Sequence, residues 1–258
     1  MNRKKRNKKI ENKSKRFLVA SLLFIIIFLI GAIIIWIKVW RLEKFILVNK
    51  ATDGGGEIYI IDSKNDKVLK YQVSPDVILN SANGFGEYKI SSLWTLGKKE
   101  NLYGQLVSRS ISSNFLIPIY LWKDGRDTNL NLFQKIKFLT LSKYSVTDMG
   151  NFDDLDLPSS VLINFIDVNI QENGIEVLVE DLTGEQESIQ KLSKIIDVLG
   201  SKVSNYTKGY DQNLDCEIYS NDPKIRHLLT SIFGCKSYTH NSLKTIKIRL
   251  GAKFADRF

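Results

Sequence analysis

Cysteine and histidine are both scarce in this chain of 258 residues, which contains two of each. Two cysteines are too few for a domain that depends on a disulfide framework. The histidines, His227 and His240, are isolated, since neither has a second histidine four residues away or a cysteine pair at zinc-ligand spacing. The sequence therefore predicts no metal site and no cofactor, and we interpret both histidines as structural side chains.

Charged residues are absent from residues 17–37, where Ser21 is the one polar side chain. As a helix this segment would rise about 31 Å, close to the thickness of the hydrocarbon core of a bilayer. It is longer than the apolar part of a signal peptide, which has about 7–15 residues, and no cleavage site of small residues follows it. We therefore predict an uncleaved, single transmembrane helix over this segment.

Acidic residues are almost absent from residues 1–16, which contain nine basic residues and one acid, Glu11. Positive charge beside an apolar segment is retained on the cytoplasmic side, so we predict a cytoplasmic tail at the cell membrane and residues 42–258 outside it. The tail supplies +8 of the formal net charge of +9. The exterior part therefore lacks the positive charge that nucleic acid requires, and the expected partner is the lipid bilayer, contacted through the N-terminal helix.

The exterior part divides into two domains with strand and helix patterns of their own. Residues 42–150 begin with three strand patterns, the last two forming a hairpin, and continue with apolar residues at helical spacing. The strand patterns are Lys44–Asn49, Glu57–Asp62 and Lys67–Val73. This order predicts an α/β domain, which an acidic, turn-rich linker over residues 151–171 connects to the second domain.

Residues 172–258 show the order β-α-β-β-α-β. The second helix is predicted over Pro223–Phe233, because Asp222 and Pro223 form a helix-start pattern and Gly234 a helix-end signal. A sheet with both helices on one face follows from this order. The sequence thus predicts a small α+β domain.

Cys216 lies in a predicted strand of this domain, and Cys235 directly follows the next helix. These positions can approach each other in a β-α unit, and a disulfide persists outside the cytoplasm. Two buried, reduced thiols are the alternative. A bridge would stabilise the fold by about 3 kcal/mol according to the chain-entropy relation.

The order of segments in both domains resembles the LytR-CpsA-Psr family of bacterial envelope proteins. The segments that carry the resemblance are KFILVN, EIYIID, KVLKYQVSPD, GFGEYKISSLWTLG and LIPIYLW in the first domain. The second domain is similar to the LytR C-terminal domain in VEDLTGEQ, IIDVLGSKV and IKIRLGAKF. The resemblance implies one membrane span and an exterior α/β domain. It also implies transfer of glycopolymers from a polyprenyl-pyrophosphate carrier to peptidoglycan, with the pyrophosphate held by arginines and by magnesium on aspartates.

The sequence departs from the family at the positions that would hold pyrophosphate. Ser74-Pro75-Asp76-Val77 stands where the family has Pro-Arg-Asp-Thr, and the later arginine-rich segment is absent. Transfer of a phosphoryl group requires preorganised cations around the developing charge. Our leading hypothesis is therefore a non-catalytic binding or scaffold module of the cell envelope, whose partners are a wall glycopolymer, a lipid-linked precursor or envelope proteins. The alternative is an active transferase with a site rebuilt around Asp76, Arg109 and Asp53.

Overall fold

The computed structural model describes residues 21–34, 44–63, 65–144, 146–152, 155–172, 174–239 and 245–258. The predicted basic tail lies outside these residues, as does His240. Helix α1 covers residues 21–34, and its large apolar side chains are exposed, with Phe24 and Phe28 the most exposed among them.

The prediction of a transmembrane helix over residues 17–37 is wrong for the described part of the chain. No helix in that part is both long and apolar enough to cross a membrane. The helical residues that the structure describes here, 21–34, rise about 21 Å, which is less than a hydrocarbon core of about 30 Å. Residues 17–20 and 35–37 of the predicted span are not among those described.

A mixed sheet of six strands forms the centre of the first domain. Its strands are β1 (Phe45–Lys50), β2 (Gly56–Asp62), β3 (Lys67–Val73), β6 (Leu121–Asp124), β7 (Asp127–Thr128) and β8 (Val146–Phe152), in the order β7-β6-β1-β2-β3-β8. The strands β1, β2 and β3 form two antiparallel hairpins, while β6 pairs in parallel with β1 and β8 with β3. The predicted hairpin between the second and third strands is therefore confirmed. Strands β4 (Ile78–Asn80) and β5 (Glu87–Lys89) pair separately, around a 3₁₀ turn at Ala82–Gly84.

Helices cover this sheet on both faces. They are α2 (Ile90–Lys99), α3 (Gly104–Phe115) and α4 (Leu132–Tyr144). In β2, Ile58 and Ile60 pack into a cluster with residues of α2 and α3, whereas Tyr59 and Ile61 pack on the opposite face with Phe138 of α4. A strand buried on both faces carries a continuous apolar run, which explains the sequence EIYIID.

The segment predicted as a linker, residues 151–171, is packed against both domains. It begins with the end of β8, an exposed edge strand, and continues with α5 (Ser159–Leu162), a 3₁₀ turn (Ile163–Phe165) and α6 (Val168–Glu172). Phe165 is buried in the core of the first domain and Ile170 in that of the second. Strand β8 was missed because six of its seven side chains are exposed, so its sequence shows no apolar alternation.

The second domain has five strands and two main helices. They are β9 (Glu176–Leu182), α7 (Gln186–Val198), β10 (Lys202–Lys208), β11 (Cys216–Tyr219), α8 (Pro223–Phe233), β12 (Lys236–Tyr238), β13 (Thr245–Gly251) and the short α9 (Ala252–Ala255). The sheet order is β10-β9-β13-β11-β12. In each β-α-β unit the second strand runs parallel to the first: β10 is parallel to β9, and β12 is parallel to β11. The mixed α/β character agrees with the prediction, and β12 is an additional short edge strand.

The predicted limits of α8 are confirmed, because local signals define both of its ends. The Asp222 side chain accepts hydrogen bonds from the backbone N–H groups of Lys224 and Ile225, and Pro223 occupies the first helical turn. Gly234 ends the helix in a left-handed conformation with φ of 68°, which glycine adopts without steric cost.

A disulfide joins Cys216 of β11 to Cys235, the residue before β12, with a Cα–Cα distance of 4.8 Å. Both cysteines are buried in the second core. The bond therefore closes a loop that contains β11 and α8, and it joins the residues next to Glu217 and Lys236, the first pair of the parallel strands β11 and β12.

Replacement of both cysteines by serine should lower the free energy of unfolding by about 3 kcal/mol, because a loop of this length loses that much closure entropy when it is cross-linked. Urea unfolding of the full chain measures this value. Reductant should produce the same loss in the unsubstituted protein and no change in the double variant. An equal response of both proteins to reductant would contradict the prediction.

Candidate functional site

Asp53 and Asp76 lie on one rim of the first domain. The Asp53 carboxylate accepts a hydrogen bond of 2.8 Å from the Gly55 N–H in the turn between β1 and β2. Asp53 lines a shallow cavity of about 400 Å³ together with Pro75, which precedes Asp76. The Asp76 carboxylate is exposed and forms an ion pair of 2.8 Å with Lys89. Both aspartates thus have the contacts of ordinary turn and surface residues.

Arg109 lies elsewhere, on the surface of α3 that faces the second domain. Its guanidinium approaches the backbone of Gly234 so closely that a Cβ at this glycine would lie 2.4 Å from Arg109 Nη2. Arg109 lines a cleft between the two domains, which neither Asp53 nor Asp76 lines. The structure therefore does not bring the three candidate residues together, and the two cysteines are engaged in their disulfide.

The interdomain cleft has a polar lobe of about 390 Å³, with α3 on one side, α8 on the other and the start of α4 at its end. The position of α4 is fixed by a capping box, in which Asn131 Oδ1 accepts from Gln134 N and Gln134 Oε1 accepts from Asn131 N, each at 2.9 Å. Since both amide oxygens are used in this way, the two NH₂ groups are left as donors at the cleft.

The electrostatics of the polar lobe are dominated by Arg109. Burial, and then the neighbouring Arg257 guanidinium, lower the pKa of Arg109 to about 10, against a smaller opposite effect of Asp215. The side chain remains charged at neutral pH. Asp215 is itself ion-paired with Arg257 at 2.8 Å, and Arg257 also donates to the carbonyls of Phe233 and Gly234 at the end of α8.

A second lobe of about 430 Å³ continues the cleft, since both lobes are lined by Tyr120, Gln134 and His227. This lobe is more apolar, with Phe45 and Leu228 among its lining residues. His227 is thus placed at the junction of the two lobes, on the exposed side of α8. Its role as a lining residue gave no signal in the sequence.

Lys44 borders the second lobe and connects β1 to the segment between the domains. Its ammonium group donates to the carbonyls of Asn164 and, at 2.8 Å, Ile166. Burial lowers the pKa of Lys44 to about 8, although Asp62 and Asp167 act in the opposite direction. These contacts help to hold the two domains in the arrangement that forms the cleft.

No family model matches this chain, and no curated protein matches it. Among solved structures, the X-ray structure of a transcriptional regulator from Enterococcus faecalis is similar over 33% of this chain, with 15% identity and a TM-score of 0.25. The chain spans about a third of that regulator, 33% of its length. A likeness of this size carries no argument about fold or function. The resemblance to the LytR-CpsA-Psr family accordingly stays a hypothesis.

The lowered pKa of Lys44 predicts a specific pH dependence of stability. Between pH 8 and about 10.5, the unfolded chain retains a proton on Lys44 that the folded protein has released, so the free energy of unfolding should rise with pH across this range. Urea unfolding at pH 7.5, 9 and 10.5 should show this rise in the unsubstituted protein relative to Lys44→Met. The exposed Lys99 offers a matched control, and Lys99→Met should follow the unsubstituted protein. If the free energy of unfolding changed with pH in the same way in Lys44→Met and Lys99→Met, the prediction of a lowered pKa for Lys44 would be wrong.

Proposed function

We propose that this protein is a non-catalytic module of the bacterial cell envelope that binds a wall glycopolymer or its lipid-linked precursor. The observation that carries the proposal is the separation of Arg109 from Asp53 and Asp76. Transfer from a pyrophosphate carrier needs cations and carboxylates that converge on one phosphate group. Arg109 instead faces the second domain, and Asp76 is paired with Lys89. Binding of a glycopolymer without transfer does not require cations and carboxylates to converge on one phosphate group.

The disulfide supports a location outside the cytoplasm. Disulfides persist in oxidising compartments and are rare in the bacterial cytosol, where thiols are kept reduced. Cys216 and Cys235 are both buried and bonded to each other, so the second domain is built for such a compartment. This agrees with the orientation expected from the basic residues 1–16.

Helix α1 supports contact with lipid as part of the same proposal. Its exposed large side chains are apolar on every side, from Leu22 to Ile34. A helix bound to the surface of a protein would keep a polar face towards water. An apolar helix that follows a strongly basic segment suits the acyl region beside anionic head groups. We therefore place α1 in contact with the membrane, and the folded domains beside it.

A transfer assay tests the proposed absence of catalysis. The full-length protein is supplied with a labelled glycopolymer on a polyprenyl-pyrophosphate carrier, with peptidoglycan and with magnesium. We expect the protein to retain the labelled carrier and to transfer no label to peptidoglycan. Asp53→Asn and Asp76→Asn should leave retention unchanged, as should the control Asp127→Asn on the distant strand β7. Transfer of label that disappears in Asp76→Asn would show instead that the protein is a transferase.

A thiol assay tests the proposed location. Cells that contain the protein are quenched with acid, denatured and treated with a maleimide-linked polymer, which increases the apparent mass of each free thiol. We expect no modification of the unsubstituted protein until reductant is added, and two modified thiols afterwards. Modification without reductant would place the domain in a reducing compartment and contradict the proposal.

A further inference from the structure

The polar lobe of the interdomain cleft contains the guanidinium of Arg109, which has no bonded partner among the described residues. Within the described ranges, Arg109 forms no hydrogen bond and no ion pair, although it is half-buried. Buried charges in proteins are normally paired, because removal of an ion from water is costly. The carboxylate that attracts Arg109, Asp215, is occupied by Arg257 at 2.8 Å. An anion from solution would supply the missing partner.

The walls of this lobe are suited to an anion. Among the described residues that line it, none is acidic. The Asn131 and Gln134 side chains present NH₂ donors, since the capping box uses their oxygens. The Thr230 hydroxyl oxygen is buried and has no hydrogen-bond partner in the described part of the chain. A buried hydroxyl without a partner is unusual, and this one lies in the same lobe as Arg109.

One feature of the cleft opposes an anion, namely the carbonyl end of α8. A helix C-terminus carries partial negative charge. Here Arg257 donates to the carbonyl oxygens of Phe233, at 2.9 Å, and Gly234, at 3.4 Å. These contacts offset the charge of the helix end and leave Arg109 available to a ligand.

We infer that the interdomain cleft is a phosphate-binding site, in which Arg109 forms the charged contact and the amides of Asn131 and Gln134 supply further donors. A guanidinium pairs with two oxygens of a tetrahedral phosphate at once. The adjoining lobe, lined by Phe45, Tyr120 and Leu228, accommodates an apolar group attached to the phosphate. The phosphate belongs either to a soluble phosphate compound or to a lipid head group. The inference rests on the proposed function only for the biological source of this phosphate.

Calorimetric titration of the full-length protein with inorganic phosphate tests the site. Arg109→Gln should raise the dissociation constant about tenfold or more, since hydrogen bonds to charged groups are the strongest that the cleft offers. Arg126→Gln removes the same charge from an exposed turn of the first domain and should leave binding unchanged. The basic residues 1–16 also attract phosphate in every variant. The test of the site is therefore the difference in dissociation constant between Arg109→Gln and Arg126→Gln.

Gln134→Glu is a second variant that preserves the fold. Glutamate keeps the oxygen that caps α4 but places a negative charge in the cleft, so it should also weaken phosphate binding about tenfold or more. Binding that is lost in Arg109→Gln and Gln134→Glu and kept in Arg126→Gln supports the site. Absence of phosphate binding, or equal binding by all variants, overturns it.

Vesicles distinguish the two sources of phosphate. Co-sedimentation with phosphatidylglycerol vesicles that depends on Arg109 identifies a lipid head group, whereas dependence on Arg109 in the phosphate titration alone identifies a soluble compound. The titration uses neither a glycopolymer nor a membrane. The titration can therefore contradict the phosphate site without contradicting the proposed envelope module. The transfer assay can likewise contradict the proposed function while phosphate binding is observed.

Discussion

The packing around Tyr120 determines how the rest of the molecule is arranged. This side chain, in the segment between α3 and β6, contacts all three hydrophobic clusters, which are the two faces of the first sheet and the core of the second domain. A side chain shared by several cores couples their stabilities, because displacing it exposes apolar surface in each one. The two domains are therefore joined by shared apolar packing.

The connection between the domains reinforces this arrangement through a mixture of apolar and polar contacts. Phe165 and Ile170 fix the two ends of the segment in different cores, while Lys44 is bonded to the backbone between them. Backbone contact also extends across the interface, where the Asn83 N–H donates to the Arg257 carbonyl at 3.1 Å. The position of Arg109 against α8 follows from these contacts and not from any local feature of α3.

The predictions that succeeded depended on local signals. The sequence around α8 specifies its start by Asp222 and Pro223 and its end by Gly234, and the structure agrees at both ends. The approach of Cys216 to Cys235 likewise follows from a short β-α unit. Elements whose position is set by distant contacts were missed. Strand β8 pairs with a strand more than 70 residues earlier, and its exposed side chains carry no periodic pattern.

The cleft could not be predicted for the same reason. Arg109 and His227 come from helices of different domains, and no spacing in the sequence relates them. The Asn-x-x-Gln pattern of Asn131 and Gln134 is a local signal for a capping box that was not recognised in the sequence, and it marks the start of a helix without its role at the cleft.

The placement of β13 has a consequence for the order in which the protein assembles. This strand lies in the middle of the second sheet, between β9 and β11, although it follows all the other described strands in the sequence. The strands on either side of it cannot join into one sheet until residues 245–251 have been synthesised. Cys216 and Cys235 both precede this segment, so their bond can form while the sheet is still open. In the folded domain this central strand joins the two β-α-β units, β9-α7-β10 and β11-α8-β12, into one sheet.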